Sequence, residues 1–379
     1  MNPVRQNVKF DKKLIDKDAL KVVKTLVKNG YEAYLVGGCI RDLLLGLQPK
    51  DFDIATSATP EQIHKVFKRS RIIGRRFKLV HIMFSARKYI EVATFRAGKV
   101  KTSNKGQVIR DNFYGSLKDD VFRRDFTVNA LYYDVVKFQV IDYVNGLEDL
   151  KASQINIIGR ASERFEEDPV RMIRAIRFKV KLEAELNPEI SKNINSNAYL
   201  LKNIPSARLY EEVIKLFHNE NSIGVYKELL KFGLFNFLFS QTQESLFINS
   251  TLINTSKRIK RGDSVTPAFL FAVFLWDAQK KCLSSLSIKN KTQIELMVIA
   301  SEEVIRKQIQ QIMMPRWLSQ RVKDIWLMQK QLENCNDSKA NELLNHPRFR
   351  MAYDFLLLRS ESINPELKKR AKFWTNLQK

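Results

Sequence analysis

The chain of 379 residues has little cysteine, and its three cysteines lie far apart at Cys39, Cys282 and Cys335. No two of them have the spacing of a metal knuckle, and three scattered thiols do not form an even disulfide framework. The composition therefore favours a reducing compartment, and we expect a cytoplasmic protein.

Long hydrophobic runs are also missing. The longest apolar stretch, Ala268 to Trp276, is far shorter than the ~20 residues that a membrane-spanning helix needs. The opening segment MNPVRQNVKFDKKL has no apolar core of the kind found in a secretory signal. The sequence thus predicts neither a membrane span nor a signal peptide.

Acidic residues are scarce relative to basic ones. The chain has 65 Lys and Arg against 41 Asp and Glu, which gives a formal net charge of +24. An excess of this size favours a polyanionic partner, nucleic acid first and an acidic membrane second. The alternative is a basic surface that only keeps the protein soluble.

The hydrophobic pattern changes along the chain. Strand-like and helix-like segments alternate early, whereas the pattern beyond residue 185 is helical almost throughout. We therefore predict an α/β head, a small mixed sheet with helices, followed by all-α domains. A helix is expected from Ala161 to Lys181 at the junction, where Pro169 marks either a helix start or a kink.

A glycine pair follows the first predicted strand, Tyr31 to Val36. Gly37 and Gly38 precede a short helix, and such a junction suits phosphate because the backbone can approach closely and the helix end offers free N–H groups. Arg41, one helical turn further, is positioned to add a bidentate contact. A tight turn without a ligand is the alternative.

Two aspartates in the sequence Asp51-Phe52-Asp53 are the strongest candidates for chemistry. On a strand, Phe52 and Ile54 would enter a core while Asp51 and Asp53 point together to the other side. Two adjacent carboxylates repel each other, and a divalent cation with a preference for oxygen, such as magnesium, removes that cost. An ordinary Asp-rich surface turn is the alternative, but magnesium beside a phosphate site indicates phosphoryl chemistry.

A later predicted strand, Tyr89 to Phe95, carries one carboxylate, Glu91. Alternation places Ile90 and Val92 on one face and Glu91 with Ala93 on the other. A charge in such a strand needs a partner, so Glu91 is a candidate third acid of the metal site. A glutamate that faces solvent is the alternative.

The segment RRDFT places Arg124 and Asp125 just before another predicted strand, Ala130 to Val135. In the functional interpretation, the arginine binds a triphosphate, and the aspartate supports a metal ion or binds a ribose hydroxyl. The alternative is a salt-bridged entry to the strand.

The segment EDPVRMIRAIRF repeats arginine every three residues, at Arg171, Arg174 and Arg177, so these side chains form one basic row on a helix. Asp168 accepts hydrogen bonds and Arg171 donates them. This pair matches the pairing edges of adenine and cytosine, and so could select ATP or CTP without a template. The alternative is a solvated ion pair between Asp168 and Arg171, worth ~0.3–0.5 kcal/mol. Arg174 and Arg177 would then be available to bind phosphate or RNA.

Together these segments resemble the class II nucleotidyltransferases, the family that contains bacterial poly(A) polymerases and CCA-adding enzymes. The resemblance is carried, in order, by GGCIRDLLLG with DFD, IEVATFR, RRDFTVNAL, EDPVRMIRAIRF and ARLYEEVIKLF. The segments GRRFKLVHIMF, VTPAFLFAVFLW, DIWLMQ and LLNHPRFRMAYDFLLLRSE are similar to the bacterial poly(A) polymerase branch. The likeness extends over nearly the whole chain.

The resemblance implies a nucleotidyltransferase head (1–150), a helical neck that recognises the nucleobase (151–217) and a helical body that binds RNA (218–379). It assigns Asp51, Asp53 and Glu91 to magnesium and Asp125 to the active site. Arg124 would then lie near triphosphate or ribose, and Asp168 with Arg171 would read the base.

The resulting hypothesis is template-independent transfer of AMP from ATP to RNA 3′ ends, with release of pyrophosphate and two Mg²⁺ ions about 4 Å apart. Messenger RNA, small RNA and decay intermediates are the expected substrates, and protein partners are left open. The alternatives are CCA addition to tRNA and, in another class, a catalytically silent RNA-binding protein.

Two departures from the family pattern stand out. The loop after Arg96 looks shorter than in relatives, and the sequence has no long basic tail before its last residue, Lys379. We therefore expect RNA affinity to rest on the body, for example on Lys257, Arg258, Lys260 and Arg261.

Overall fold

The computed structural model describes residues 2–74, 78–86, 88–97, 101–102, 108–110, 114–287, 289–335 and 337–378. The loop expected at 97–108 and residues 75–77 of the GRRFKLVHIMF segment lie mostly or wholly outside these ranges.

Twelve strands occur within the described ranges. They are β1 (Val4–Asn7), β2 (Ala33–Val36), β3 (Asp53–Thr56), β4 (Ser70–Ile73), β5 (Leu79–Met83), β6 (Tyr89–Thr94), β7 (Lys101–Thr102), β8 (Val108–Arg110), β9 (Tyr132–Asp134), β10 (Gln139–Asp142), β11 (Gln154–Ile155) and β12 (Glu185–Leu186). Eight of them form one mixed sheet in the order β1-β10-β9-β2-β3-β6-β5-β4, in which β3 and β6 run parallel.

Nineteen α-helices occur in the same ranges, together with 3₁₀ turns at Thr127–Asn129, Ala198–Asn203 and Pro365–Leu367. The helices are α1 (Lys17–Lys28), α2 (Gly38–Leu44), α3 (Pro60–Val66), α4 (Leu117–Phe122), α5 (Gly146–Lys151), α6 (Ala161–Glu167), α7 (Val170–Lys181), α8 (Pro188–Asn197), α9 (Ser206–Phe217), α10 (Ser222–Lys231), α11 (Phe235–Leu238), α12 (Leu246–Lys260), α13 (Pro267–Phe274), α14 (Trp276–Ser285), α15 (Gln293–Gln311), α16 (Arg316–Asn334), α17 (Asp337–Leu344), α18 (Phe349–Ser362) and α19 (Lys368–Leu377). The predicted α/β head followed by a helical region is confirmed.

The chain divides into two compact units. The first contains residues 1–164 and 182–193, and the second contains 165–181 and 194–379. The predicted division into head, neck and body at residues 150 and 217 stays a prediction.

In the first unit, one face of the sheet packs on a large hydrophobic core, and the opposite face carries a smaller apolar cluster, with Val36, Ala55 and Tyr132, beside Asp53. Ile54, Val80 and Val92 are buried in the core, where α1 adds Val22 and Leu26. Helix α1 begins at Asp16, whose Oδ1 accepts the N–H groups of residues 18 and 19, as expected for an N-cap. The predicted alternation along β6 is confirmed, since Ile90 and Val92 are buried while the residues between them are partly exposed.

Two predicted elements were wrong in their bounds. The helix expected over Ala161–Lys181 is two helices, α6 and α7, separated at Asp168-Pro169, so of the two alternatives for Pro169 the helix start is confirmed. Proline has no N–H to donate and disfavours helical geometry in the residue before it, so a new helix begins after it. The strand expected from Ala130 to Val135 is shortened to β9, because residues 127–129 form a 3₁₀ turn.

Two buried tryptophans connect helices of the second unit by hydrogen bonds. The buried indole of Trp326 on α16 donates to the carbonyl of Ala272 on α13 at 3.0 Å. The buried Trp374 on α19 donates to the carbonyl of Leu332 on α16 at 2.9 Å. These two indoles thus cross-link the helices, and each of them has a hydrogen-bond acceptor.

No described helix is both long and apolar enough to cross a membrane. The three cysteines, all within the described ranges, form no disulfide.

Candidate active site

The glycine turn lies between β2 and α2. Gly37 has φ of +78°, which favours glycine, and a Cβ there would lie 3.5 Å from the Arg124 guanidinium. Arg41 is buried, and its guanidinium donates to Asp42 at 2.6 and 2.9 Å and to Asn129. In this structure Arg41 supports the turn through its bonds to Asp42 and Asn129. The predicted contacts of Gly37, Gly38 and Arg41 with phosphate stay predictions.

Strand register brings the candidate carboxylates together. Strands β3 and β6 are parallel with Ile54 opposite Val92, so Asp53 lies beside Glu91 on the same face. Asp51 precedes β3 by two residues and lines the same cavity of about 530 Å³ as Asp53 and Glu91. The predicted burial of Phe52 and Ile54 opposite these aspartates is confirmed.

The environment of Asp53 raises the pKa of its carboxyl group. Loss of hydration among the surrounding atoms raises the pKa of Asp53 to about 6, and the negative charges of Glu91 and Asp51 add to the shift, whereas Arg124 opposes it. Among the described residues no three His, Cys, Asp or Glu side chains are arranged as a ready metal cage. The unrelieved negative charge nevertheless fits a divalent cation with oxygen ligands.

A second cavity of about 290 Å³ shares Asp53 and Glu91 with the first and is lined by Arg96, Arg123 and Arg124. We call it the arginine compartment. The larger cavity, which is lined by Lys50 and Tyr89 besides the carboxylates, is the lysine compartment. The two carboxylates thus stand between a space with three arginines and a space with an aromatic ring.

Arg124 is fixed by a buried aspartate. Its Nε donates to the Tyr132 hydroxyl at 2.7 Å, and its Nη2 lies 3.1 Å from Asp120 Oδ2, which also accepts from Tyr132. Burial by itself would raise the pKa of Asp120, but the charge of Arg124 and the Tyr132 hydrogen bond hold that pKa below its usual value. Arg164 donates to the carbonyls of residues 123 and 124 at 2.9 and 2.7 Å, which anchors this arginine segment.

Asp125 is not among the residues that line either compartment. Its Oδ1 accepts the N–H of Phe126 at 2.8 Å and the side-chain amide of Asn129 at 3.3 Å. Since Asn129 also accepts from Arg41, Asp125 is linked to the support of the glycine turn. Its predicted catalytic role stays a prediction.

The pair predicted to read the base, Asp168 and Arg171, belongs to the second unit, and each member has a different ionic partner. Asp168 Oδ2 lies 2.6 Å from Arg208 Nη2, and Arg171 Nη1 lies 2.7 Å from Glu167 Oε2. Arg171 is buried, with 9% of its surface exposed. Each member of the pair therefore has a partner of opposite charge, Arg208 for Asp168 and Glu167 for Arg171.

The other two arginines of the α7 row contact an aromatic ring. The guanidinium carbons of Arg174 and Arg177 lie 5.4 and 5.0 Å from the ring centre of Phe178. Arg177 also lies 3.8 Å from Glu212. Their predicted binding of nucleotide stays a prediction.

The basic cluster proposed for RNA lies at the end of α12. Lys257 and Lys260 are exposed, whereas Arg258 pairs with Asp354 at 3.0 Å and Arg261 with Asp263 at 3.3 Å. Half of the positive charge of this cluster is thus already balanced within the protein.

Sequence reasoning missed four residues that complete these arrangements. Asp120 was detectable by its i, i+4 spacing from Arg124, and Glu167 by the same spacing from Arg171. Arg208 stands in the ARLYEEVIKLF segment but was given no role. His81 lies opposite Glu91 in β5, and only the strand register shows this.

The chain is similar to known proteins over nearly its whole length. Residues 33–156 match the family model described as "Poly A polymerase head domain", residues 185–246 match "Probable RNA and SrmB- binding site of polymerase A", and residues 289–379 match "Polymerase A arginine-rich C-terminus". Among solved structures, the Bacillus stearothermophilus CCA-adding enzyme in complex with CTP aligns with a TM-score of 0.63 at 25% identity, over 93% of this chain and 81% of that chain. A tRNA nucleotidyltransferase complexed with a primer tRNA and an incoming ATP analogue shares the fold, with a TM-score of 0.66 at 21% identity over 94% and 98% of the two chains.

The fold and the acidic–basic site thus define a nucleotidyltransferase. The chain is 42% identical to poly(A) polymerase I of Escherichia coli O6:H1 over 99% of this chain and 85% of that protein, and 41% identical to poly(A) polymerase I of Haemophilus influenzae over 96% and 84%. The chain belongs to the poly(A) polymerase family. The CCA-adding enzyme of Lactobacillus johnsonii is 39% identical over only 57% of this chain and 54% of that protein, so the predicted polyadenylation function is confirmed over its alternative.

Proposed function

We propose that Asp51, Asp53 and Glu91 form the catalytic cation site of an enzyme that adds AMP from ATP to RNA 3′ ends without a template. The observation that carries this assignment is the side-by-side placement of Asp53 and Glu91 between the two compartments. A protein gains no stability from two such neighbours, so a positively charged ligand is the simplest reason for them.

The reaction joins the primer 3′-oxygen to the α-phosphorus of ATP and breaks the bond from that phosphorus to the oxygen that bridges to the β-phosphate. Pyrophosphate leaves, and the hydroxyl proton passes to solvent. Magnesium held by the carboxylates would supply charge neutralisation and a lower pKa for the hydroxyl. Positioning by the protein supplies much of the remaining acceleration.

We assign the triphosphate to the arginine compartment. Arg124 is already oriented by Asp120 and Tyr132, so it need not reorganise when phosphate binds. Arg96 and Arg123 line the same space and add donors for phosphate oxygens. Gly37 lets the backbone approach beside Arg124.

We assign recognition of adenine to Asp168 and Arg171. Arg208 orients the Asp168 carboxylate, and Glu167 orients the Arg171 guanidinium, so the acceptor and the donor each have a fixed direction. Adenine offers a donor beside an acceptor and fits this pair, whereas guanine offers the reverse order.

We propose RNA 3′ ends of messenger RNA, small RNA and decay intermediates as substrates, and the cytoplasm as the location. The match of residues 185–246 to an RNA-binding family model and the net charge of +24 support RNA binding.

A nucleotide and primer panel tests the proposal. Each of the four nucleotides is offered separately with magnesium to an unstructured RNA primer and to tRNA truncated at its 3′ end. We expect long tails from ATP on the unstructured primer. Incorporation of CTP into truncated tRNA, without tails on the other primer, would establish CCA addition instead.

A further inference from the structure

We propose that the lysine compartment holds the 3′-terminal nucleotide of the RNA primer, and that the ring of Tyr89 is the platform on which its base stacks. The inference rests on the proposed function and adds a primer subsite to it.

The first argument is the arrangement of the two compartments. They share Asp53 and Glu91 as a common wall. In phosphoryl transfer the attacking and leaving oxygens lie roughly in line on opposite sides of phosphorus. If the triphosphate occupies the arginine compartment, the attacking hydroxyl must arrive from the lysine compartment.

The second argument is the construction of the platform. Tyr89 is 49% exposed and lies two residues before Glu91 on β6, so both side chains point to the cleft face. The His81 ring stacks on the Tyr89 ring with centroids 4.1 Å apart and an interplanar angle of 9°. His81 Nε2 also lies 3.4 Å from Glu91 Oε2, so one histidine joins the aromatic ring to a catalytic carboxylate.

An exposed tyrosine that is supported on one face leaves its other face for a base. Stacking of a base on an aromatic side chain is worth ~1–3 kcal/mol and tolerates any base. An enzyme that extends a growing tail from a varied 3′ end needs this tolerance, and no base-specific donor is required of the platform.

The third argument is the distribution of charge. Lys88 lines the compartment but lies 2.8 Å from Asp16 and 2.6 Å from Asp18, so its charge is balanced. Lys50 is exposed and forms no ion pair with any residue in the described ranges. Lys50 is therefore the cation that would meet the last phosphodiester of the primer.

The first experiment measures binding without turnover. The full-length protein is titrated in EDTA with an RNA primer that ends in 2-aminopurine, whose fluorescence falls on stacking. We expect the decrease in wild type and in Tyr89→Phe and its loss in Tyr89→Ala. The matched control is Phe138→Ala, which removes an aromatic ring of 41% exposure from the turn between β9 and β10, outside both compartments.

The second experiment measures AMP transfer with a normal primer and with a primer whose terminal nucleotide is abasic. In Tyr89→Ala the KM for the normal primer should rise about 5- to 100-fold, and the discrimination between the two primers should disappear. The KM for ATP should stay within about twofold of wild type.

The outcomes separate this inference from the proposed function. If wild type transfers AMP while Tyr89→Ala behaves like Phe138→Ala, the primer subsite is refuted. A rise in the KM for ATP instead of primer refutes it as well, because the compartment would then hold the nucleotide. If wild type transfers no AMP yet the fluorescence decrease depends on Tyr89, the subsite stands and the proposed function falls.

Discussion

The charged residues of the sheet and those of α7 are held in opposite ways. On the sheet, Asp53 and Glu91 carry the same kind of charge, and the register of β3 and β6 places them side by side. On α7 and its surroundings, Arg171 and Asp168 each lie within 2.7 Å of a group of opposite charge. The sheet site is electrostatically strained, whereas the helical site is satisfied.

This difference indicates different tasks. A strained acidic pair gains from a cation and therefore suits chemistry that needs one. Charged groups that already have partners gain little from a bound cation. Their hydrogen bonds fix the directions of donors and acceptors, which suits discrimination between bases. Substitutions in the sheet site should therefore change the rate of AMP transfer, and substitutions around α7 should change the selectivity among nucleotides.

Asp51→Ala should have the largest effect. Removal of one oxygen donor from the proposed cation site should lower kcat for AMP transfer by about 10³-fold or more. Binding of RNA, measured by filter retention, should be nearly unchanged, since the substitution removes neither a positive charge nor the Tyr89 ring from the proposed primer subsite. Turnover close to that of wild type would show that this carboxylate holds no catalytic ion.

Asp120→Asn should have the next largest effect, and it sharpens the comparison because Asp120 is an acid with a charged partner close to the strained pair. Arg124 would lose its charged partner, and hydrogen bonds to charged groups are worth ~1.5–3 kcal/mol. We expect the KM for ATP to rise about 10- to 100-fold with little change in the KM for primer. An equal loss on both substrates would instead indicate general disruption of the first unit.

Arg208→Ala tests the helical side of the comparison. Without its partner at 2.6 Å, Asp168 should lose its fixed direction, and the preference for ATP over GTP in kcat/KM should fall by about tenfold. The matched control is Arg306→Ala, which breaks an exposed pair with Glu303 in the same unit. Unchanged selectivity in Arg208→Ala would mean that Asp168 is positioned by other groups.

Much of the site was accessible from the sequence because it depends on local spacing. The pair Asp51 and Asp53, the alternation around Glu91 and the turn at Gly37 each follow from neighbours within a few residues. The α/β-to-helical change was equally visible in the hydrophobic period.

Contacts between distant segments could not be predicted in the same way. The stacking of His81 on Tyr89 depends on the register of β5 and β6, which a hydrophobic pattern does not determine to the residue. The partner of Asp168 is 40 residues away at Arg208, on α9. Even the local choice between Asp120 and Asp125 as the partner of Arg124 required knowing which of them is buried.

The smallest expected effect is a change in stability, in Asp53→Asn, and it tests the repulsion between the carboxylates. The pKa of Asp53 rises from 3.8 to about 6 in the folded protein, so the folded state binds this proton more tightly than the unfolded state. The associated stability is present at low pH and is lost as pH rises through about 6.

In EDTA at pH 7.5 the uncharged asparagine should therefore raise Tm slightly, and the difference should shrink toward pH 4, because both side chains are then neutral. Glu163→Gln, which neutralises an acid at 65% side-chain exposure, is the matched control. Saturating magnesium should reverse the order, since an ion bound by wild type stabilises only the folded carboxylate. A wild type that is more stable than Asp53→Asn in EDTA at pH 7.5 would contradict the idea that the sheet holds its carboxylates under strain.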